Sequence, residues 1–169
     1  MNAVRPFDCD RIHELLQRNR LAYTTSADGT CFVEFVDLSE ERLPLVVCLL
    51  PIAESVLAIR VFLPATYPMT AVPVLLATIN RWHSDHQWPR AYVEFDDPAV
   101  PDQSGVCVYA DTHLDLKPGV HDELLDHLFW TTAHGADEMF RVLHQAVEAA
   151  EAHVPTPTAE ELNRWLERN

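Results

Sequence analysis

The chain has 169 residues, 48% of them hydrophobic and 22% charged, which suits one globular domain with a proper core and leaves too little for a second. Its formal net charge of −14 repels nucleic-acid phosphates and anionic lipid headgroups, so neither nucleic acid nor membrane is an expected partner and a basic protein is the better one. Cys9, Cys31, Cys48 and Cys107 form neither a Cys-x-x-Cys pair nor a zinc-ligand spacing. The N-terminus lacks the basic-then-apolar profile of a signal peptide. The longest apolar run, Leu45 to Leu50, falls short of membrane-spanning length and is expected to stop at Pro51. These features together predict a soluble, cytoplasmic protein with reduced thiols.

Asp8 to Arg20 reads as a helix, with Ile12, Leu15 and Leu16 on one face and Asp8 as N-cap. Ala27-Asp28-Gly29-Thr30 is a turn signal. Three short runs rich in Val, Leu, Ile and Phe follow, at 31–36, 45–50 and 56–63, and read as strands. The second is apolar throughout, so both of its faces should be covered. The third carries a lone charge, Arg60. After the break at Pro64 to Pro68, a helix is predicted from about Thr70 to His86. Pro73 fits its first turn, and Val72, Leu75, Leu76, Ile79 and Trp82 trace its buried face. Arg90 to Phe95 is a fourth strand, Asp96 to Ser104 an exposed hairpin loop closed by Gly105, and the alternating run from Val106 to Thr112 a fifth.

A long helix is expected from about His121 to Ala152. Leu124, Leu128, Met139, Leu143 and Val147 mark its face, Phe129 and Phe140 lie beside it, and Gly135 marks a kink or a close crossing. Residues 153–157, with two prolines, form a stiff linker. Thr158 then caps a short last helix with Glu161 at the capping-box position and Leu162, Trp165 and Leu166 as an apolar stripe. The order α-β-β-β-α-β-β-α plus a short C-terminal helix gives an α+β fold, an antiparallel sheet of about five strands with helices packed on it. Domain bounds are 1–152, with 153–169 as linker and tail.

Residues 79 to 92 read Ile-Asn-Arg-Trp-His-Ser-Asp-His-Gln-Trp-Pro-Arg-Ala-Tyr. This stretch resembles the signature of the YbjN family of bacterial proteins, regulators of sensory transduction: Asn-x-Trp-Asn at the end of a middle helix, then aromatic-Pro-Arg/Lys-Ala leading into a strand. Asn80, Trp82, Trp88, Pro89, Arg90 and Ala91 match, while His83 stands where the family has its second Asn. The run from Val108 to Leu116, with Pro-Gly-Val120 before a long helix, also fits. The resemblance implies a fold similar to type III secretion chaperones, often dimeric, with no catalytic residues and no cofactor. Read for itself, the motif locks the fold. Trp82 and Trp88 are large anchors whose burial stabilises by a few kcal/mol each. Asn80 has the donor and acceptor to satisfy orphan backbone groups at a helix end, and Arg90 can reach the last helical carbonyls.

Other chemistry weighs less. His83 and His86 could share a metal with His13 or His113, but no complete ligand set is evident, and surface histidines explain them as well. The His134–Glu138 spacing is not a zinc-protease motif. A Cys107–His113 nucleophile lacks a basic neighbour to lower the thiol pKa. Isolated glycines argue against a phosphate cradle. Asp96, Asp97 and Asp102 lack the spacing of a calcium loop. The expected function is a non-catalytic protein-binding module, chaperone-like or a regulatory adaptor, acting as a homodimer without metal or cofactor. The alternatives are a small hydrolase or metal-dependent enzyme with an unfamiliar site, and a carrier of a lipid or small ligand held between sheet and helix. The tail stripe Leu162, Trp165 and Leu166 either folds back on its own domain or docks on another subunit.

Overall fold

The structure is a computed structural model that describes residues 3–35, 43–53, 55–95 and 105–152. Its first helix, α1, spans Cys9–Arg18, and Asp8 caps it by accepting the Arg11 N–H at 3.1 Å. The chain then enters a hairpin. The strand β1, Thr24–Thr25, pairs with β2, Cys31–Phe35, around the turn whose Asp28 carboxylate accepts from the Ser26 hydroxyl and the Thr30 N–H. Two exposed threonines carry no hydrophobic period, so nothing in the sequence marks β1, and the sheet has six strands rather than about five.

All pairings are antiparallel, in the order β1-β2-β3-β4-β6-β5. The remaining strands are β3 (Leu45–Ala53), β4 (Val56–Phe62), β5 (Arg90–Phe95) and β6 (Val106–Asp115). Pro51 does not stop β3. It pairs opposite Leu57 next to a register shift between Pro51 and Ala53, an irregular spot where a residue without an N–H can be carried. The second helix, α2 (Val72–Asp85), follows a 3-10 turn at Met69–Ala71 and holds Pro73 in its first turn. The third, α3, runs Asp122–Ala152.

Alternation along the strands divides the sheet into two faces. Val33, Val47, Ile59, Val61, Val108 and Ala110 point into one core shared with Leu15 and Leu16 of α1, Leu75 and Ile79 of α2 and Phe129, Phe140 and Leu143 of α3. On α2, Leu76 points outward. On α3 the buried line passes through Leu125 and Phe129 while Leu124 is exposed and Leu128 half-buried. Only the first turns of α3 thus sit about one residue round from the sequence reading, with Phe129 and not Leu128 beside Phe35, while Met139, Leu143 and Val147 are buried as expected. Gly135 marks a close crossing. A Cβ there would lie 3.1 Å from Cδ of Pro89, so a side chain at this position would force Pro89 or α3 to give by a few tenths of an ångström where the two meet.

On the helix side, charges clamp α1 and the N-terminal segment to the start of α3. Arg11, 3% exposed, donates to the carbonyls of Pro6 and Val120 and to Asp122 Oδ1 at 2.6 Å. Arg5 bridges Glu14 and Asp122, and Arg18 holds Asp126. The bonds from Arg5 keep the Glu14 and Asp122 carboxyls below their usual range. Gly119, at φ +88°, makes the turn that brings Val120 into its bridge with Arg5, and its Cα lies so close to the Arg5 carbonyl that a side chain would collide.

Candidate functional site

The opposite sheet face is built from the other half of each alternation: Phe32 and Glu34 of β2, Val46, Cys48 and Leu50 of β3, Ala58, Arg60 and Phe62 of β4, Tyr92 and Glu94 of β5, and Cys107, Tyr109, Asp111 and His113 of β6. None of its side chains joins the core that the described helices cover. Phe32, Val46, Leu50, Phe62, Tyr92 and Tyr109 remain half-buried, shielded by one another and open to the outside. Glu34 and Glu94 stand exposed on its two flanks.

At its centre lies a polar anchor. Arg60 and Asp111 are direct cross-strand partners, and the guanidinium grips the carboxylate with two bonds of 2.9 Å, Nε to Oδ1 and Nη2 to Oδ2. The Tyr92 hydroxyl donates a third bond to Oδ2 at 3.1 Å. Arg60 also lies over the Tyr109 ring at 5.2 Å and the Tyr92 ring at 6.0 Å. The Asp111 bonds raise the Arg60 pKa further above its ordinary value. Burial, helped by the charge of Asp111, pushes Tyr92 up to about 12. Burial likewise pushes the neighbouring Cys48 thiol up to about 11, against the pull of Arg60. Near neutral pH the cluster is therefore an ion pair with a protonated tyrosine and an inert thiol. A bidentate pair held in an aromatic surround presents a rigid, internally neutralised platform. A shallow groove of about 420 Å³, lined by Phe62, Leu63, Thr66, Cys107 and Tyr109 among others, borders this face.

The motif from Asn80 to Ala91 forms the junction between α2 and β5. Trp82 is buried with its indole stacked at 3.7 Å on His86. Its Nε1 has no hydrogen-bond partner among the described residues. Pro89 and Ala91 are buried, and the Trp88–Pro89 peptide is cis. Trp88, read as a second buried anchor, is instead 54% exposed, because Pro89 rather than the indole meets α3 at Gly135. Asn80 lies exposed on α2 and Arg90 is exposed at the strand start, so neither is placed to cap the helix end. That task falls to other groups: the His86 N–H donates to the Trp82 carbonyl, and His83 Nε2 accepts the Ala91 N–H at 2.9 Å. His83 thus supplies an acceptor to the strand, which an amide oxygen could equally do.

The model of a family described as "Putative bacterial sensory transduction regulator" matches residues 8–145, which hold nearly the whole described fold. The chain belongs to the YbjN family. Among solved structures, it is similar to that of E. coli YbjN, described as "a putative transcription regulator", with a TM-score of 0.61 and 11% identity over 89% of this chain and 96% of that one. At that identity the likeness concerns the fold. No curated protein matches the sequence significantly.

On this YbjN fold the other candidate groups lie apart. Cys107 and His113 sit on one strand six residues apart, about 20 Å at the rise of an extended chain, so they do not form a dyad. His13 contacts Tyr23 while His83 serves Ala91, and no three His, Cys, Asp or Glu side chains gather around a metal-sized space among the described residues. No described helix is long and apolar enough to cross a membrane. Asp96, Asp97, Asp102 and the tail residues Leu162, Trp165 and Leu166 lie outside the described residues. What the sequence reading missed is the Arg60–Asp111–Tyr92 cluster. The available signal was a single basic residue in one apolar strand and a single acid within the apolar part of another.

Proposed function

We propose that this YbjN-family chain is a non-catalytic regulatory adaptor of chaperone-like type, which binds a basic protein segment with apolar side chains through the sheet face that no described helix covers, and which works in the cytoplasm as a homodimer without metal or cofactor. The observation that carries this reading is the aromatic face with its closed Arg60–Asp111–Tyr92 anchor. An apolar face that offers no unpaired charge at its centre can be covered by a partner without stranding an ion, and the flanking Glu34 and Glu94 suit a basic rim. The polar groups that converge here neutralise one another on an open face, not at the floor of a pocket. That is the arrangement of a binding platform rather than of an acid–base or nucleophilic centre. The family's description as a regulator agrees with it.

A photo-crosslinking amino acid placed at Phe62 or Tyr109 in the native cell tests this reading, with Val142 on the exposed side of α3 as control. A defined basic protein captured from both face positions and not from the control is expected. Equal capture from the face and the control would sink it. Crosslinks to a second copy alone would reassign the face to the dimer contact.

A further inference from the structure

A second cleft lies between the Pro64–Pro68 segment and the last turns of α3, on the other side of the Leu63–Thr66 wall from the groove beside the sheet face. Its volume is about 350 Å³, and Leu43, Leu63, Tyr67 and Val147 line it with Glu148 and Glu151 on its α3 rim. The backbone of Tyr67 is fixed by two bonds to Val106 at 2.8 Å, yet its hydroxyl is buried and has no hydrogen-bond partner among the described residues.

We propose that the chain's own C-terminal segment fills this cleft in cis, with Trp165 inserted beside Tyr67. Residues 153–169 leave α3 at Ala152, directly after the rim residue Glu151. Turning back over the stretch from Val147 to Ala152 requires about 8 Å at the helical rise, and the thirteen residues from Ala152 to Trp165 reach several times that when extended. The segment brings the right chemistry. Leu162, Trp165 and Leu166 are its large apolar residues, and Arg164 and Arg168 bracket the indole and can face Glu148 and Glu151. The proposal does not rest on the sheet-face reading: the cleft contains none of Arg60, Tyr92 and Asp111, although its Leu63 to Thr66 wall also borders the groove beside that face.

The test uses the full chain with a photo-crosslinking residue at position 165, prepared as an equal mixture of isotopically light and heavy protein. Crosslinks that land on Leu43, Leu63, Tyr67 or Val147 within chains of one isotope are expected. Crosslinks joining light to heavy chains would give the cleft to a second copy, and crosslinks elsewhere or none would empty it. Either result overturns the proposal. A second readout is the melting temperature of Trp165→Ala, which should fall by about 5 °C if a tryptophan leaves a cleft of this kind. An unchanged melting temperature overturns the proposal as well.

Discussion

Arg11 and Arg60 each hold a carboxylate, at 2.6 Å to Asp122 and 2.9 Å to Asp111, but their surroundings differ in kind. Arg11 lies on the helix side, 3% exposed, and spends its donors on backbone carbonyls and the first turn of α3 as well as on the acid. Arg60 lies on the helix-free side, one-third exposed, with aromatic rings about it and no element packed over it among the described residues. One cluster fastens parts of the chain together, and the other is held ready within a single sheet. An arginine–carboxylate bond does not by itself indicate structure or function. What else the guanidinium bonds, and what covers it, does.

That contrast can be broken by substitution. The largest effect is expected at the motif, where two tryptophans of one signature divide between the interior and the surface. Trp82→Ala should cost about 3–5 kcal/mol of a stability of roughly 5–15, and Trp88→Ala less than about 0.5, measured as urea midpoints. Equal losses would erase the distinction. Next comes Arg11→Ala, expected to cost about 3 kcal/mol because a buried guanidinium is removed and the Pro6 carbonyl loses its donor; the Val120 carbonyl keeps the Arg5 N–H, and Arg5 and Arg18 still neutralise Asp122, which keeps the loss from going higher. Asp111→Ala should cost about 1–2 kcal/mol in the same assay, since Arg60 can turn to water, while abolishing capture at the sheet face. A loss as large as that of Arg11→Ala would make the pair a fold element.

The smallest effect is one of pH. Glu14 and Asp122 titrate below their ordinary values of 4.5 and 3.8, so their stabilisation is complete above those values and drains away as pH falls through the lower folded-state values. On the helix-free face the signs reverse. Cys48 and Tyr92 are raised from 9.0 and 10.0 to about 11 and 12, so their contribution is intact below the ordinary values and is lost as pH climbs through the raised ones. Hydrogen exchange at each extreme should open the α1–α3 clamp first in acid and the β3–β6 strands first in alkali. The opposite order would mean the two clusters have been assigned the wrong roles.

Much of this architecture is legible in the sequence. The Asp8 cap, Pro73 in a first turn and the order of the longer elements are local signals, and the structure follows them. The apolar run Leu45 to Leu50, expected to be covered on both faces, is not: Val46 and Leu50 stand half-buried on the face that no described helix covers. The misses share a cause. Trp88 and Trp82 look alike until α3 arrives and leaves room at Gly135 for Pro89 instead of an indole. Arg11 looks like any solvated helix charge, because its partners at Val120 and Asp122 are more than a hundred residues away. Arg60 and Asp111 are 51 residues apart, and only strand register makes them neighbours. The one-residue offset in the first turns of α3 goes with the contact of Phe129 on Phe35 across the interface, which a helical period does not encode.

The two ends of the sheet bear on how far a chain of this shape could self-associate. An apolar sheet face invites self-association, and open strand edges would extend that into stacking without limit. Among the described residues one edge closes with the two-residue β1, too short to template a neighbour, and the other is β5, which carries the exposed charges Arg90 and Glu94 on either side of Tyr92. Growth along the sheet is thus discouraged in both directions. The face can remain sticky enough to hold a partner, while the edges confine that stickiness to finite, reversible complexes.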